Sequence, residues 1–582
     1  MDSYPRFERS TLHVLTFLVA FCSFAYELVY AELLTIVYGG TVTQYGLTVG
    51  LFFSSLGVGS FLVRTLDHER PSNFFRTELL LAISAPLGFV AILWIGSADV
   101  PNGVPPWTFE WLARLPVIVV GGLSGFELPL LTAMVERLET DPSERLLALR
   151  ERLRAATYRV VGLVFHVSTD SNDQDSYSTV LGMDYLGGLG GSLVYVFVLY
   201  PDIGLFATIF VLGLLNAVAA LAFVLRFSDR SWGLLAGGSS IGSRERTALV
   251  VACLLVASVY GGLALQHEAV DSELSAFYLE RSIEQEFPSD AIEVEVDSVR
   301  TTNYQRVSFY NRTWTDDRPN TLFDGESERC FRLGTAVQLC DSWAEPYHEG
   351  LVDVPMSRFE NGSETNVLVV GGGDWIAVDH LREYGVSVDL VDLDGEFLHM
   401  TRDDPWFERY HHDAYEYDRL NVTVADAHQY LRETDEQYDL ILLDLPGATD
   451  DDLLGLYSTQ FYEQLRTHLR PDGVVGTWTY QPSSFPRHAA AYTNTVHAAG
   501  FEQSLSYWAW DDLDGDGRDE RVERFVLLSP QRDPGPALAN TTASVSEYHD
   551  YYASQEWYPI VEYRGVEPNG IFDPNYGILI DT

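Results

Sequence analysis

Long apolar runs dominate the first half of the chain, and short apolar segments alternating with polar ones dominate the second half. Most of the long runs have the roughly 20 apolar residues that an α-helix needs to cross a bilayer. We therefore predict a multi-pass α-helical membrane domain over residues 1–268, in which the first run is too long to be a signal-peptide core. The runs cover residues 11–37, 43–63, 79–95, 115–135, 179–200, 205–225 and 247–265.

The acidic residues inside these runs include Glu27, Glu127 and Asp184. An acid buried in a membrane costs several kcal/mol unless it is paired, so each is a candidate functional residue. The alternative is that they hydrogen-bond neighbouring helices and hold the bundle together. The glycines at 187, 188, 190 and 191 predict close helix packing next to Asp184.

In the second half, buried-type strands alternate with amphipathic helices, which predicts an α/β Rossmann-like domain with a parallel sheet over residues 351–530. A small β region within 269–350 precedes it, and the tail 531–582 has no assignable structure. The predicted strands are 366–370, 386–391, 421–425, 439–444, 473–479 and 523–529. The predicted helices are 376–384, 395–401, 428–433, 458–469 and 485–499.

Residues 366–374 read NVLVVGGGD and form the centre of this domain. Four apolar residues indicate a buried strand, and the glycines allow a sharp turn and a close approach by a ligand. The next predicted strand ends in Asp392. An acid at that position takes ribose hydroxyls in Rossmann-like nucleotide sites.

Acidic residues lie at the carboxyl ends of four successive predicted strands of this sheet: Asp374, Asp392, Asp426 and Asp444. Ligands of such sheets bind at the carboxyl ends of the strands. Four acids there favour a ligand that offers hydrogen-bond donors, such as ribose hydroxyls, an adenine amine or ammonium groups.

The order of these motifs resembles the spermidine synthase (polyamine aminopropyltransferase) family, and in particular its branch fused to a multi-span membrane domain. The soluble half carries YQRV at 304–307, YHE at 347–349, GGGD at 371–374, VDLD at 391–394, ADA at 425–427, DLP at 444–446 and LYSTQFY at 456–462. The membrane half carries YELVYAELL at 26–34 and MDYLGGLGG at 183–191.

The resemblance implies transfer of an aminopropyl group from decarboxylated S-adenosylmethionine to a putrescine-like amine. Asp444 would be the catalytic acid–base. The donor would be held by Gln305, Gly371, Gly373, Asp392, Asp426 and Ala427. The amine side would be formed by Tyr347, His348, Asp374 and Tyr457.

Two residues depart from the family pattern. Trp375 stands where the family has glycine, and we expect it to narrow or reshape the amine pocket. Gly447 stands where the membrane-fused branch has an aspartate that binds the acceptor amine. The acids at 450–452 would replace that aspartate or form a solvated acidic loop. Two other functions therefore stay open: a methyltransferase that uses S-adenosylmethionine, and a non-catalytic transporter or sensor that binds a polyamine or nucleoside.

The net charge is −46 over 582 residues, and arginine supplies all 37 cations. Such a lysine-free, acidic composition favours a protein from a halophile, because high salt screens repulsion between surface carboxylates. The same charge argues against nucleic acid as a partner. A homo-oligomer is an open alternative to a monomer.

Residues 512–523 read DLDGDGRDERVE and match the spacing of a calcium-binding loop. The candidate ligands are Asp512, Asp514, Asp516, Glu520 and Glu523. A chance cluster in an acidic protein is the alternative. Since no helix clearly precedes the loop, we expect a hairpin stiffened by calcium rather than a helix–loop–helix unit.

Arginines in the loops predict which side of a cell membrane the soluble domain faces. They are concentrated at the N-terminus and in the even-numbered loops, which places the N-terminus inside and, after seven spans, the soluble domain outside. A Cys330–Cys340 pair and four N-x-S/T sequons, at Asn311, Asn361, Asn421 and Asn540, lean the same way. A substrate made in the cytoplasm argues against it.

Overall fold

A computed structural model of the chain divides it into two compact units, Met1–Tyr38 with Thr43–Tyr278, and Gly39–Val42 with Leu279–Thr582. Two of the sequons, at Asn361 and Asn540, lie outside the described part, as does Asp450. The structure describes residues 4–39, 41–65, 71–98, 103–105, 107–137, 175–227, 243–288, 291–334, 336–359, 362–449, 451–534, 538 and 548–580.

The first unit is helical. Seven of its described helical segments are long and apolar enough to cross a membrane, as the hydropathy pattern predicts. Shorter helices, Trp107–Ala113 and His267–Glu284, precede the fourth and follow the seventh. The long helices are Tyr4–Tyr38, Thr41–Leu62, Pro71–Gly96, Leu115–Arg137, Asp175–Val194 with its π-helical extension Tyr195–Ile203, Leu205–Arg226 and Ser243–Leu265.

The predicted glycine stripe packs helix Asp175–Val194 against helix Tyr4–Tyr38. A Cβ on Gly187 would lie 2.2 Å from the carbonyl oxygen of Phe17, and one on Gly191 would lie 2.2 Å from that of Phe21. Since real Cβ atoms do not come so close, only glycine permits this helix spacing. The prediction of close packing at these glycines is confirmed.

The acids inside the helical unit are mostly buried. Glu27 and Glu127 are each 5% exposed, and Asp184 is partly buried. The sequence pattern missed Glu78, which is wholly buried. It lies inside the third long helix because that helix begins at Pro71, eight residues before the predicted run.

The second unit begins with a small antiparallel sheet of four strands in the order β1-β2-β3-β4. Cys330 in β3 and Cys340 in β4 face each other across the ladder and form a disulfide. The strands are β1 Ile292–Thr301, β2 Arg306–Trp314, β3 Ser327–Leu333 and β4 Ala336–Cys340.

An eight-stranded sheet forms the body of the unit, in the order β12-β10-β11-β9-β8-β5-β6-β7. Strands β5 to β9 pair in parallel as predicted, whereas β10, β11 and β12 form an antiparallel edge. The strands are β5 Asn366–Gly371, β6 Ser387–Asp392, β7 Leu420–Val424, β8 Tyr438–Asp444, β9 Leu469–Trp478, β10 Gln503–Asp511, β11 Glu520–Ser529 and β12 Tyr558–Pro559.

Helices cover both faces of this sheet and enclose two cores. In β5, Val367 and Val369 pack into one core while Leu368 and Val370 pack into the other, because successive side chains of a strand point to opposite faces. The helices are Ala344–His348, Val354–Met356, Ile376–Glu383, Gly395–Asp403, Pro405–His411, Ala427–Glu433, Thr459–Thr467, Pro486–Ala498 and His549–Ala553.

The tail, which the sequence left unassigned, packs onto the body of the unit. Its strand β12 pairs with β10 at the edge of the sheet. The Asn494 side-chain amide donates to the carbonyls of Tyr563 and Val566, at 2.9 and 2.6 Å. His488 Nδ1 lies 2.6 Å from the carbonyl of Ile578.

Candidate active site

A pocket of about 600 Å³ opens at the carboxyl ends of β5, β6 and β8. Strands β6 and β8 flank β5, so the strand order reverses there, which is where open α/β sheets bind ligands. The volume suits a small-molecule ligand. Phe331 of the small sheet and Gln305 of the turn between β1 and β2 also line the pocket.

The glycine turn after β5 forms the floor of this pocket. Gly371 and Gly372 have φ angles of 83° and 70°, which favour glycine. A Cβ on Gly371 would lie 2.0 Å from the carbonyl oxygen of Asp444, and one on Gly373 would lie 2.8 Å from Asp392 Oδ2. A side chain at Gly371 would therefore displace the end of β8, and one at Gly373 would push the Asp392 carboxylate aside.

Asp392 and Asp426, two of the predicted donor-binding residues, lie at one end of the pocket. Asp392 Oδ1 accepts the backbone N–H of Asp394 at 2.7 Å, and burial raises the pKa of Asp392 to about 6. Asp426 caps the helix Ala427–Glu433 by accepting the N–H of Gln429 at 2.9 Å. Each carboxylate keeps one oxygen for a ligand, and Ala427 lines the wall beside them.

Asp394, the second acid of the VDLD motif, also lines the pocket, although the sequence pattern assigned it no role of its own. Its Oδ2 accepts the Thr302 hydroxyl at 2.6 Å and the Gln305 amide at 3.1 Å, and its Oδ1 accepts the N–H of Phe397 at 3.1 Å. The Gln305 side chain therefore lies at the pocket as expected but donates to Asp394. The hydrogen bonds from Thr302 and Gln305 to Asp394 hold the small sheet against the end of the pocket that contains Asp392.

Tyr347, Asp374 and Asp444 line the other end of the pocket, and His348 lies next to them without lining it. The Tyr347 hydroxyl donates to Asp444 Oδ1 at 3.0 Å. His348 is wholly buried, and its Nδ1 lies 2.7 Å from the carbonyl of Ala344. Its Nε2 lies 3.7 Å from Asp374 Oδ2 and 3.9 Å from Asp444 Oδ2.

The electrostatics of this end favour a ligand rich in hydrogen-bond donors. Burial lowers the pKa of His348, and because its Nδ1–H donates to the carbonyl of Ala344, Nε2 is left as an acceptor. This Nε2 has no hydrogen-bond partner among the described residues. Burial raises the pKa of Asp374 to about 6; burial and then Asp374 raise that of Asp444 to about 6. One side-chain atom from each of His348, Asp374 and Asp444 lies within 4.8 Å of the others, so the three side chains together can surround one cationic group.

The expectation that Trp375 shapes the amine pocket is wrong. The residue has a left-handed φ of 69°, and its indole N–H donates to the carbonyl of Leu398 at 3.1 Å. Only 5% of Trp375 is exposed, and it packs in the core on one face of the sheet rather than among the lining residues.

Tyr457 supports the pocket wall from behind. Its hydroxyl donates to the carbonyl of Pro446 at 2.8 Å, and the residue is not among those that line the pocket. The expected position of Tyr457 in the amine channel is therefore wrong. Gly447 does line the pocket, and a Cβ there would lie 2.1 Å from the Tyr480 hydroxyl. Asp451, one of the acids considered as a replacement, does not line it.

The candidate calcium loop is the hairpin between β10 and β11, without flanking helices, as expected. It brings together Asp512, Asp514 and Glu520, with one ligand atom of each within 4.8 Å of the others. Asp516 instead lies 3.6 Å from the Arg518 guanidinium. Glu523 was wrongly assigned to this loop, because it lies further along β11 and lines the pocket.

Glu523, Trp478 and Tyr480 are thus pocket residues that sequence reasoning missed. Trp478 ends β9, and Phe525 of β11 pairs with it. The Thr479 N–H donates to the Arg524 carbonyl, which brings Glu523 beside Tyr480. These residues come together because two strands that are distant in the sequence pair with each other. No local motif predicts such a pairing.

Comparison with known proteins gives one family match. Residues 344–507 match the family described as "Spermine/spermidine synthase domain". The match begins at the helix that holds Tyr347 and His348 and extends into β10, so it covers Asp374, Asp392, Asp426 and Asp444.

Relatives of the whole chain carry transferase names. The chain is 28% identical to polyamine aminopropyltransferase 1 of Streptomyces coelicolor over 511 residues, 86% of this chain and 81% of the relative. It is 26% identical to polyamine aminopropyltransferase of Oceanobacillus iheyensis over 461 residues, 79% and 75% of the two chains. The solved spermidine synthase of Thermotoga maritima is 19% identical, with 46% of this chain and 80% of that chain covered and a TM-score of 0.33.

Proposed function

We propose that this chain is a membrane-anchored aminopropyltransferase, which moves an aminopropyl group from decarboxylated S-adenosylmethionine to an amine. The observation that carries the proposal is the meeting of Asp444, Tyr347, His348 and Asp374 at one end of a pocket whose other end has the glycine turn and Asp392. The spermine/spermidine synthase domain and the names of the relatives support the same reaction.

The donor end of the pocket suits a thioadenosine group. Asp392 Oδ2 is free to accept the ribose hydroxyls, and the free oxygen of Asp426 is free to accept the adenine amine. The glycine turn lets the ligand approach the backbone closely, since no side chain covers it. These residues bind and orient the donor and take no part in bond making.

Asp444 acts as the base of the reaction. An amine nitrogen attacks the aminopropyl carbon that is bonded to the donor's sulfonium sulfur, the carbon–sulfur bond breaks, and methylthioadenosine leaves. The attacking nitrogen gives its proton to the Asp444 carboxylate, which Tyr347 orients by its hydrogen bond. His348 and Asp374 accept hydrogen bonds from the amino group of the donor chain, so they position rather than react.

The helical unit makes the chain a multi-pass membrane protein in this proposal. Seven described helices have the length and composition to span a bilayer, and the arginine distribution favours an exterior soluble unit. Protease digestion of the second unit in intact cells tests the side. Protection from the protease contradicts the exterior assignment.

Product analysis tests the reaction. Full-length protein in detergent is incubated with decarboxylated S-adenosylmethionine and a panel of amines, and mass spectrometry detects aminopropylated products. A methylated product formed from S-adenosylmethionine, with no aminopropylated product, would identify the methyltransferase alternative. Absence of turnover with every amine would favour the binding-only alternative.

The variant Asp444→Asn tests the role of the base. We expect turnover to fall by about 10²-fold or more, because the amide cannot accept the proton. Binding of methylthioadenosine, measured by calorimetry, should stay unchanged. Asp435→Asn removes an exposed carboxylate and serves as the matched control. Full activity in Asp444→Asn would overturn the assignment.

A further inference from the structure

The pocket has a second acidic end that neither the domain match nor the motifs assign. Glu523, Trp478, Tyr480 and Gly447 line the pocket together. The domain match ends at residue 507, before Glu523. Glu523 is the only carboxylate among these four residues.

Strand register fixes the position of Glu523. Since Phe525 pairs with Trp478 in an antiparallel ladder, Glu523 lies opposite Tyr480, just beyond the end of β9. Side chains two apart on a strand share a face, so Glu523 shares the face of Phe525, whose ring packs against Tyr347 with centroids 5.5 Å apart. Glu523 is therefore held on the pocket side of the sheet.

Glu523 has no cationic partner in the described part of the chain. Its one hydrogen bond comes from the backbone N–H of Arg524 at 3.0 Å. The guanidinium of Arg524 donates to Ser506 instead, at 2.7 Å. A partly buried carboxylate without a cation beside it provides a site for a cationic ligand group.

The surrounding rings favour an ammonium group in particular. The Trp478 and Tyr480 rings lie beside this carboxylate, with their centroids 4.8 Å apart. Aromatic faces attract ammonium groups, and a carboxylate accepts their hydrogen bonds. The Tyr480 hydroxyl occupies the space that a side chain at Gly447 would need, so position 447 cannot supply the acid without moving Tyr480.

The two acidic ends of the pocket are separate. Asp444 ends β8 and Glu523 lies on β11, and β9 lies between these two strands. Neighbouring strands are about 4.8 Å apart, so about 10 Å of sheet separates the two positions. Tyr347 spans this distance, since it donates to Asp444 and packs against Phe525 of β11. A ligand that reaches from one carboxylate to the other needs two nitrogen groups joined by a chain.

We propose that Glu523, flanked by Trp478 and Tyr480, binds the distal ammonium of a diamine or longer polyamine acceptor and so determines acceptor specificity. This inference rests on the proposed aminopropyl transfer. The attacking nitrogen lies at Asp444, and the other nitrogen stays protonated at Glu523. Glu523 is a positioning residue, because it touches the substrate far from the reacting atoms.

The test compares an amine pair that differs only in the distal nitrogen, 1,4-diaminobutane and 1-aminobutane, with full-length protein. We expect Glu523→Gln to raise KM for 1,4-diaminobutane by about 10–100-fold, the range for loss of a charged hydrogen bond, with little change in kcat. KM for 1-aminobutane should not change. Glu523→Asp, which keeps the charge, should recover part of the affinity for the diamine.

Glu436→Gln removes an exposed carboxylate and is the matched control. Binding of methylthioadenosine to each variant reports whether the pocket is intact. Equal effects of Glu523→Gln on both amines, or none on either, would overturn the inference. If no aminopropylated product forms with the unaltered protein, the proposed function fails. Calorimetric binding of the two amines then still tests Glu523, since loss of diamine binding in Glu523→Gln supports the site without turnover.

Discussion

Asp444 depends on three separate parts of the chain for its chemistry. It ends β8, Tyr347 reaches it from the helix Ala344–His348, and Asp374 follows the glycine turn after β5. Its burial and the nearby Asp374 raise its pKa to about 6. The residue is thus a carboxylate whose proton affinity is closer to neutral pH than that of an exposed aspartate.

This raised pKa predicts the pH dependence of the reaction. In the proposed reaction Asp444 must be ionised to accept a proton, so kcat/KM should rise as the pH increases through about 6, and should be about tenfold lower one pH unit below that value. The pH profile of kcat/KM with a saturating donor measures it. A profile that is flat between pH 5 and 7 would contradict the role of Asp444 as base.

The same pKa predicts an effect on stability. Because the folded pKa lies above the unfolded one, the contribution of Asp444 to stability is full below about pH 4 and is lost as the pH rises through about 6. Asp444→Asn should therefore raise the free energy of unfolding of the unliganded protein by about 3 kcal/mol at pH 8 and have little effect at pH 4. Denaturant unfolding at the two pH values checks this, and an equal effect at both would contradict it.

Trp375 follows the site residue Asp374 in the sequence but has a structural role, because it packs in the core. Trp375→Ala should cost about 3–5 kcal/mol of stability, because a buried indole is removed from the core. KM for the acceptor should not change, because Trp375 does not line the pocket. Thermal unfolding and acceptor kinetics on the same variant measure the two effects. A changed KM with unchanged stability would restore Trp375 to the amine site.

At the level of elements, the hairpin between β10 and β11 serves two purposes at once. Its tip brings together Asp512, Asp514 and Glu520, while the strand that follows carries Glu523 into the pocket. The spacing of acids along this segment suggested a single loop of five ligands. The alternation of a β-strand instead separates them, since the ladder directs the side chains of β11 to two faces.

The hairpin tip remains a candidate calcium site with three protein ligands. If it binds calcium, free ion at 100 times Kd should stabilise the second unit by about 2.7 kcal/mol, and chelation should reverse this. Melting of the full chain with calcium or with chelator measures the effect, with Asp514→Asn as the variant that should lose the response. If calcium does not change the melting temperature, the hairpin tip is an acidic turn that does not bind calcium.

For the whole molecule, the charge of −46 is the dominant electrostatic feature. Carboxylates that repel one another destabilise the compact state, and the Debye length falls to about 3 Å at 1 M salt. We expect potassium chloride between 0.1 and 3 M to raise the melting temperature by about 5–10 °C, which corresponds to a few kcal/mol. A non-ionic osmolyte at matched concentration is the control for excluded-solute effects. Destabilisation by salt would contradict adaptation to high salt.

Local pattern alone determined a large part of this protein. Runs of apolar residues gave the seven long helices, and the alternation of apolar strands with amphipathic helices gave β5 to β9 and their covering helices. The glycine turn and the acids Asp374, Asp392, Asp426 and Asp444 were predictable because they follow strands directly, and the carboxyl ends of parallel strands meet at one edge. Each of these features rests on residues close together in sequence.

The tertiary structure decided the rest. Trp375 turns into the core because a left-handed backbone and a hydrogen bond to Leu398 direct it there, and Tyr457 lies behind the pocket wall, where its hydroxyl donates to the Pro446 carbonyl. Glu523 enters the pocket only because β11 pairs antiparallel with β9, about fifty residues away in the chain. Register between distant strands depends on packing of the whole sheet, so no local spacing of acids could separate Glu523 from the acids of the hairpin tip.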